Sequence, residues 1–391
     1  MGVSCKVLNA ATIGIFGVIF WAAICPAADV SFIVLGDLHY DKLEFHDMDW
    51  LKNKWVNPDD YRQVTQEYVV YTAKNWDKLM KALGRRIKGN GGQVKGIVQL
   101  GDFMEGLAGN PEMVKKMEFG TIKAIEEPNF QVRWILVKGN HDGWRKGQGE
   151  AEAYKEIMVP FRNKQMGIAD GGTSFRYRAG DIEFFCPDSE MELNTLIDFL
   201  EKGLAESNAK FKFVAMHAPV IPVTGRCWDI FGIKDMKARA QSQERLLGLL
   251  ARNEAIVLCA HLHRYSVVRR DTGRGPVIQV MLNSVIRDSN SPGPYWYTRQ
   301  FGPELVDMEP DFAPATQQQR KQVLRQEMKY VTDFRLADFP GYAVLTIKRE
   351  RICLKMYRGV TDTVQEEVDL SQMLQKASPA HVLPKNHPLR D

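Results

Sequence analysis

Five short apolar runs in this chain each end in a residue able to bind a metal or move a proton. Trp134-Ile135-Leu136-Val137 breaks at Gly139 and delivers Asn140-His141-Asp142. Phe32–Leu35 runs into Gly36-Asp37-Leu38-His39, and Ile97–Leu100 into Gly101-Asp102. Phe211–Met216 leads to His217, and Ala255–Cys259 to Ala260-His261-Leu262-His263. Of the eight histidines in the chain, five sit at or just beyond these run ends. The donors suited to ligation are two Asp, one Asn and four His, too many for one four-coordinate ion. They suit two divalent ions of the Mn, Fe or Zn kind sharing a carboxylate, since such ions prefer imidazole and carboxylate. Two ions roughly 3.5–4 Å apart can activate a water and stabilise an in-line displacement at phosphorus.

Such runs read as buried strands of an α/β protein, where ligands gather beyond the carboxyl ends of parallel strands. Helical stretches separate them. Asn57-Pro58-Asp59-Asp60 supplies a cap, a first-turn proline and acids at the positive helix end. Tyr61, Val64, Tyr68, Trp76, Leu79, Leu83 and Ile87 follow at helical spacing and read as a core-packing stripe. The irregular stretch before it, with Trp50 and Trp55, is the better candidate for a site rim. Asn110-Pro111 opens another helix, and a short one is expected over Ala151–Ile157. Ser174–Arg178 and Asp181–Phe185 read as a hairpin, and Ser189-x-x-Glu192 as a capping box before the next helix. A further helix is expected around Ala240–Ala251. Tyr342–Ile347 and Ile352–Tyr357 read as a hairpin closing the second half of the fold. Residues 287–340 interrupt the α/β pattern with the aromatic segment Pro294-Tyr295-Trp296-Tyr297 and a charged helix near Gln317–Tyr330. That aromatic segment reads as packing onto its own domain, with a lid over a substrate ring as the alternative.

At 391 residues, 45% hydrophobic and a mean hydropathy of −0.30, the chain is ordinary for a globular α/β protein. A formal charge of +4 is too weak to argue for nucleic acid or an acidic membrane surface. Residues 1–27 read as an export signal: one cation, an apolar run over 7–24 and small residues near Pro26-Ala27. A retained membrane anchor through 7–24 is the alternative, because the run sits at the lower limit for spanning a bilayer. The expected placement is therefore exported, periplasmic or secreted. The remaining Cys186, Cys227, Cys259 and Cys353 allow one disulfide but no framework, and Cys259 reads as a buried hydrophobe. Residues 28–377 form the expected domain, with insertions near 41–60 and 287–340. The tail 378–391 is expected to be disordered.

The ordered set Gly36-Asp37-x-His39, Gly101-Asp102, Gly139-Asn140-His141-Asp142, His217 and His261-x-His263 resembles the calcineurin-like metallophosphoesterases, over about residues 30–265. The resemblance implies a four-layer α/β/β/α sandwich carrying a dimetal site at the strand ends. It assigns Asp37, His39 and His263 to one metal, Asn140, His217 and His261 to the other, and Asp102 as the bridge. His141 becomes the general acid facing the leaving group. Relatives usually carry Asp three residues beyond the bridge; here Glu105 stands there and is expected to orient His141, with Asp142 as competitor. Ala260 replaces the glycine usual before the His-x-His pair. The absence of a tyrosine at position 105 argues against the purple acid phosphatase branch. Arg145, Arg226 and Arg264 follow motifs closely enough to reach a bound anion, although solvated surface arginines are the commoner case. The function expected is metal-dependent hydrolysis of a small phosphoester. A metal-dependent nuclease and a non-catalytic binding module are the competing readings.

Overall fold

A computed structural model describes residues 29–54, 57–89, 92–143, 149–169, 171–287, 297–312 and 314–375. The expected leader, Trp55, Arg145, Tyr295, Trp296 and the tail lie outside these residues. Among the described residues no helix is long and apolar enough to cross a membrane.

Among the described residues fourteen strands form two sheets. In chain order they are β1 (Val30–Leu35), β2 (Val94–Gln99), β3 (Arg133–Leu136), β4 (Phe175–Ala179), β5 (Ile182–Cys186), β6 (Phe211–Ala215) and β7 (Ile256–Cys259). There follow β8 (Tyr265–Thr272), β9 (Gly275–Met281), β10 (Tyr297–Thr298), β11 (Val331–Ala337), β12 (Gly341–Lys348), β13 (Arg351–Arg358) and β14 (Val364–Asp369). The first sheet has the order β14-β13-β12-β1-β2-β3 and the second β10-β11-β8-β9-β7-β6-β5-β4. β1, β2 and β3 run parallel, as do β5, β6, β7 and β9.

The apolar runs are continuous rather than alternating because both faces of each sheet are covered. Phe32, Val34, Val98 and Ile135 point between the sheets and meet Phe184, Phe213, Ile256 and Leu258. The rings of Phe32 and Phe184 meet edge to face at 4.8 Å. The alternate residues Ile33, Leu35, Ile97 and Leu136 face the opposite way, onto Leu79, Leu83, Met117 and Ile125 of the helices Val69–Gly89 and Pro111–Glu126. On the far side, Val214, Val257 and Val268 pack against Leu196, Leu200, Leu246 and Leu250 of the helices Leu193–Glu206 and Met236–Arg252. Helix, sheet, sheet, helix: this is the four-layer order expected. Each fully buried side chain of this kind contributes about 1.5–3 kcal/mol, so the two-faced burial outweighs any local preference of the strands.

Several expectations are corrected. The hairpin β12–β13 joins the first sheet, with β12 antiparallel to β1, rather than closing the second half. Residues 287–340 are not wholly outside the pattern: β10 and β11 extend the second sheet beyond β8. Edge strands added from a distant segment leave no local periodicity that differs from a loop hairpin. Finally, the helix Leu193–Glu206 is capped by Glu192, whose side chain accepts from Thr195 N, so Ser189 is not part of a capping box. The Ala151–Ile157 helix belongs to a longer run, Glu150–Ala153, Tyr154–Met158 and Val159–Met166. Trp50 packs beside Leu51, Val64 and Leu107 rather than standing free at a rim. His46, away from the strand ends, is structural: its Nε2 meets Asp41 Oδ1 at 2.7 Å and its Nδ1 the Leu107 carbonyl at 3.0 Å. That tie holds the segment after β1 against the loop after β2. Cys259 is fully buried, and all four described cysteines are free thiols.

Candidate metal centre

Leu35, Gln99 and Leu136 are register partners across β1, β2 and β3, so the chain leaves all three strands at one edge. Ala215 and Leu258 pair likewise in β6 and β7. The turns beyond those ends are tight. His39, Asp102, His261 and His263 take φ values of 43, 52, 76 and 50°. For an L side chain that left-handed conformation costs about 1–2 kcal/mol, and it persists where the surroundings over-determine the residue. Two glycines make the close approach possible: a Cβ on Gly101 would overlap the His217 ring, and one on Gly139 the Asp102 backbone. Gln99 braces the turn, its amide exchanging bonds with Gly101 N and O at 3.2 and 2.5 Å. Leu38 N and His39 N both donate to the Asp102 carbonyl at 2.9 Å.

The structure brings together Asp37, His39, Asp102, Asn140, His141, His217, His261 and His263. Their ligand atoms form three groups, each within 4.8 Å: Asp37, His39 and His263; His39, Asp102 and His141; Asp102, His217 and His261. His217 Nε2 lies 3.0 Å from Asp102 Oδ2, 3.0 Å from Asn140 Oδ1 and 3.1 Å from His261 Nδ1. His217 Nδ1 meets the Leu100 carbonyl at 2.9 Å, which places the neutral ring's proton there and turns the Nε2 lone pair inward. Four acceptor atoms then converge on one point, a donor set that fits a divalent cation. On the other flank, His39 Nε2 lies 2.9 Å from His263 Nε2 and 4.0 Å from Asp102 Oδ2, and His263 Nε2 lies 3.6 Å from Asp37 Oδ1. Asp102 is thus common to both flanks.

The electrostatics agree. Burial pushes the Asp37 carboxyl up to about 6, with the Asp102 charge adding to the rise. Burial would raise Asp102 too, but His217, His141 and His39 hold it well below the usual carboxylate range. Burial opposes charge on His217, yet Asp102 and Asp37 push it up to about 10. Burial and the neighbouring His217 force His261 down to about 3, and burial with His39 holds His263 well below its ordinary value. His261 and His263 thus keep their lone pairs available, and the Asp102 and Asp37 charges that raise His217 are charges a divalent cation would offset in place of a proton.

Glu105 is fully buried, but it is its backbone carbonyl that meets His141 Nδ1, at 2.7 Å. Its carboxylate lies 3.6 Å from that nitrogen and only 2.6 Å from His39 Nδ1. The expected orienting role therefore falls to the peptide group, and the carboxylate backs His39 instead. Burial drives that carboxyl well above its ordinary range. Asp142, the competitor, accepts from Phe103 N, Met104 N and Gly139 N at 2.8, 3.2 and 2.8 Å, so it clamps the loops rather than steering His141. Carboxylates behind ligating imidazoles typically govern metal affinity by 10–100-fold. Glu105→Gln, which keeps the volume and replaces the carboxyl group behind His39 by an amide, is expected to weaken metal binding by about that factor. Competition against a chelator measures it.

Of the three arginines, two are described. Arg226 Nε and Arg264 Nη2 both reach Glu309 Oε1, at 3.2 and 3.3 Å. Arg226 also lies over the Phe312 ring at 4.2 Å, and Arg264 donates to the His263 carbonyl at 2.9 Å. Glu309 and Phe312 come from residues 287–340, so that segment holds both cations beside the His261–His263 turn. Sequence reading missed Glu309, Gln99, Ser189 and Tyr68. Ser189 Oγ accepts from His217 N and Ala218 N at 3.2 Å each, fixing the His217 turn. Tyr68 lies flat on His39, with centroids 4.3 Å apart and planes at 22°. Burial, with the charges of Glu105, Glu67 and Asp37, holds its phenol well above the ordinary range, so it stays protonated. Its place in a helical stripe was the only signal, and that signal pointed to the core.

A four-layer sandwich that gathers Asp, Asn and His from five strand ends defines the class of metal-dependent hydrolases acting on phosphoric ester bonds. The family model of the calcineurin-like phosphoesterases matches residues 30–265, and the chain belongs to that family. No curated protein matches it in sequence. Among solved structures, it is similar to GAP50, the anchor in the inner membrane complex of Plasmodium, at 15% identity, covering 88% of each chain with a TM-score of 0.46. A dimetal phosphatase from Danio rerio is 14% identical over 87% of this chain and 98% of its own, with a TM-score of 0.47. PhoD is 10% identical over 88% and 69%, with a TM-score of 0.46.

Proposed function

We propose that the chain is an exported dimetal hydrolase of a small phosphoester. Asp37, His39 and His263 would hold one divalent cation, Asn140, His217 and His261 a second, and Asp102 both. The observation that carries this reading is the convergence of Asp102, Asn140 and His261 on His217 Nε2, within 3.0–3.1 Å, beside the Asp37–His39–His263 group. Two such cations, when bound, supply positive charge to polarise a phosphoryl group and to acidify an attacking water.

The protein's own groups do the rest. His141 N donates to Asp102 Oδ1 at 2.8 Å and its Nδ1 is held by the Glu105 carbonyl, which fixes the ring plane. Its side chain is partly exposed where those of His39 and His217 are buried, in a position to pass a proton to a departing alkoxide. Arg226 and Arg264, kept in place by Glu309, bring positive charge to the His261–His263 side, where a phosphoryl oxygen gains from it. Export rests on the apolar run over residues 7–24; retention of that run would instead anchor the protein at a membrane. No basic stripe favours a nuclease, and no ligand of the set is missing as a purely binding module would lead one to expect.

The test is metal analysis of the purified protein, then chelation, then a substrate panel. Two divalent ions per chain and a loss of aryl phosphate hydrolysis on chelation, restored by Mn²⁺ or Zn²⁺, are expected. Full activity in the stripped protein overturns the reading. The panel pairs aryl phosphate with bis-aryl phosphate, cyclic nucleotides and sugar phosphates, and the monoester-to-diester ratio assigns the substrate class.

A further inference from the structure

Tyr68 closes the centre on a side that none of the five strand ends supplies. It is the last residue of a π-helical segment, Gln63–Tyr68, between the helices Pro58–Arg62 and Val69–Gly89. A π turn carries one more residue than an α turn, so it shifts the faces of the helix that follows, and such turns recur at functional sites. Here Val64 is wholly buried against Leu51 and Leu107, and Thr72 and Trp76 are buried toward the sheet. Tyr68, between them, is only partly buried, and its ring covers His39. The Tyr68 hydroxyl makes no hydrogen bond to another described residue, whereas the hydroxyl of a Tyr packed this closely ordinarily finds a partner. His39, under the Tyr68 ring, belongs with Asp37 and His263 to one of the ligand groups and with Asp102 and His141 to another, so the phenol stands beside the centre.

We propose that Tyr68 is a substrate-contacting residue, its phenol O–H donating a hydrogen bond to a phosphoryl oxygen of the bound ester. The contact comes from the His39 side of the centre. It rests on the phosphoester-hydrolase reading of the same site. A neutral donor suits this position, because a cation here would sit on the same imidazole that the metal needs. The phenol ring supplies a flat cover for His39 and the hydroxyl supplies the bond.

Tyr68→Phe separates the two, since it keeps the stacked ring and removes only the oxygen. In the full-length, metal-loaded protein, two quantities are read: calorimetric binding of inorganic phosphate, and kcat and KM on an aryl phosphate. The expected result is phosphate binding weakened about tenfold and kcat/KM lowered about 10–100-fold, with metal content and unfolding temperature unchanged. Unchanged phosphate affinity and kcat/KM overturn the proposal while leaving the hydrolase reading intact. A fall in metal content alongside activity also overturns it, because Tyr68 would then serve only to support His39. Wild-type protein that binds phosphate without hydrolysing any ester removes the hydrolase reading alone, and the weaker binding of the variant still supports the contact. Wild-type protein that neither binds nor hydrolyses overturns both.

Discussion

Asp102→Asn is expected to lower kcat/KM on an aryl phosphate by on the order of 10³-fold or more and to release at least one cation per chain. The residue is common to two of the three ligand groups, with its carboxylate 3.0 Å from His217 Nε2 and 4.0 Å from His39 Nε2. Asparagine retains the oxygen that accepts from His141 N, and the backbone bonds from Leu38 and His39 to the Asp102 carbonyl do not involve the side chain. The local fold is therefore preserved and the negative charge between the two flanks is what is lost. On so buried a side chain that charge would be a main counterweight to the two cations proposed. Elemental analysis alongside kinetics checks it. A variant retaining both metals at wild-type activity would show that Asp102 is a loop clamp and no bridge.

His141→Asn is expected to reveal itself through the leaving group rather than through the metals. General acid catalysis contributes typically about 10²–10⁴-fold. The loss should approach that range for an alkyl phosphate, whose alkoxide must be protonated as it departs. For a nitrophenyl phosphate, whose phenolate leaves without help, it should shrink to a few-fold or less. Metal content should not change. The last point decides between two roles the geometry allows, because His141 shares a 4.8 Å group with His39 and Asp102. If metal is lost in proportion to activity and the leaving-group dependence is flat, His141 is a ligand. Its hold on the Glu105 carbonyl at 2.7 Å favours a fixed ring whose far nitrogen faces outward.

Beside the His261–His263 turn stand residues that the family motifs do not supply. Glu309 receives both Arg226 and Arg264, and Phe312 lies against the Arg226 guanidinium. Both come from the segment that interrupts the α/β pattern. Loops around a conserved scaffold are where specificity resides in such folds. Tyr68, stacked on His39, belongs to the other long segment, between β1 and β2.

The residues that converge at the strand ends were legible because they depend on features that are local in the chain. A strand buried on both faces must be an unbroken apolar run, and its end must be marked by a glycine or polar break. The side chain delivered there, Asp37, Asp102, Asn140, His217, His261 or His263, follows within a few residues. The two-sheet sandwich followed from the same runs through the family resemblance. What the chain order concealed were contacts set by distant segments. β12 pairs with β1 from more than three hundred residues away, and β11 extends the second sheet beside β8, because sheet edges recruit whichever strand the packing brings near. Ser189 holds the His217 turn instead of capping a helix, since a hydroxyl bonds the nearest unpaired amides, and only the folded chain decides which those are. Glu105 offers its peptide oxygen to one histidine and its carboxylate to another, a division invisible in residue type. Tyr68 fits a core stripe by its spacing, yet one π turn rotates it onto His39, because a single extra residue in a helical turn moves a side chain to a different face.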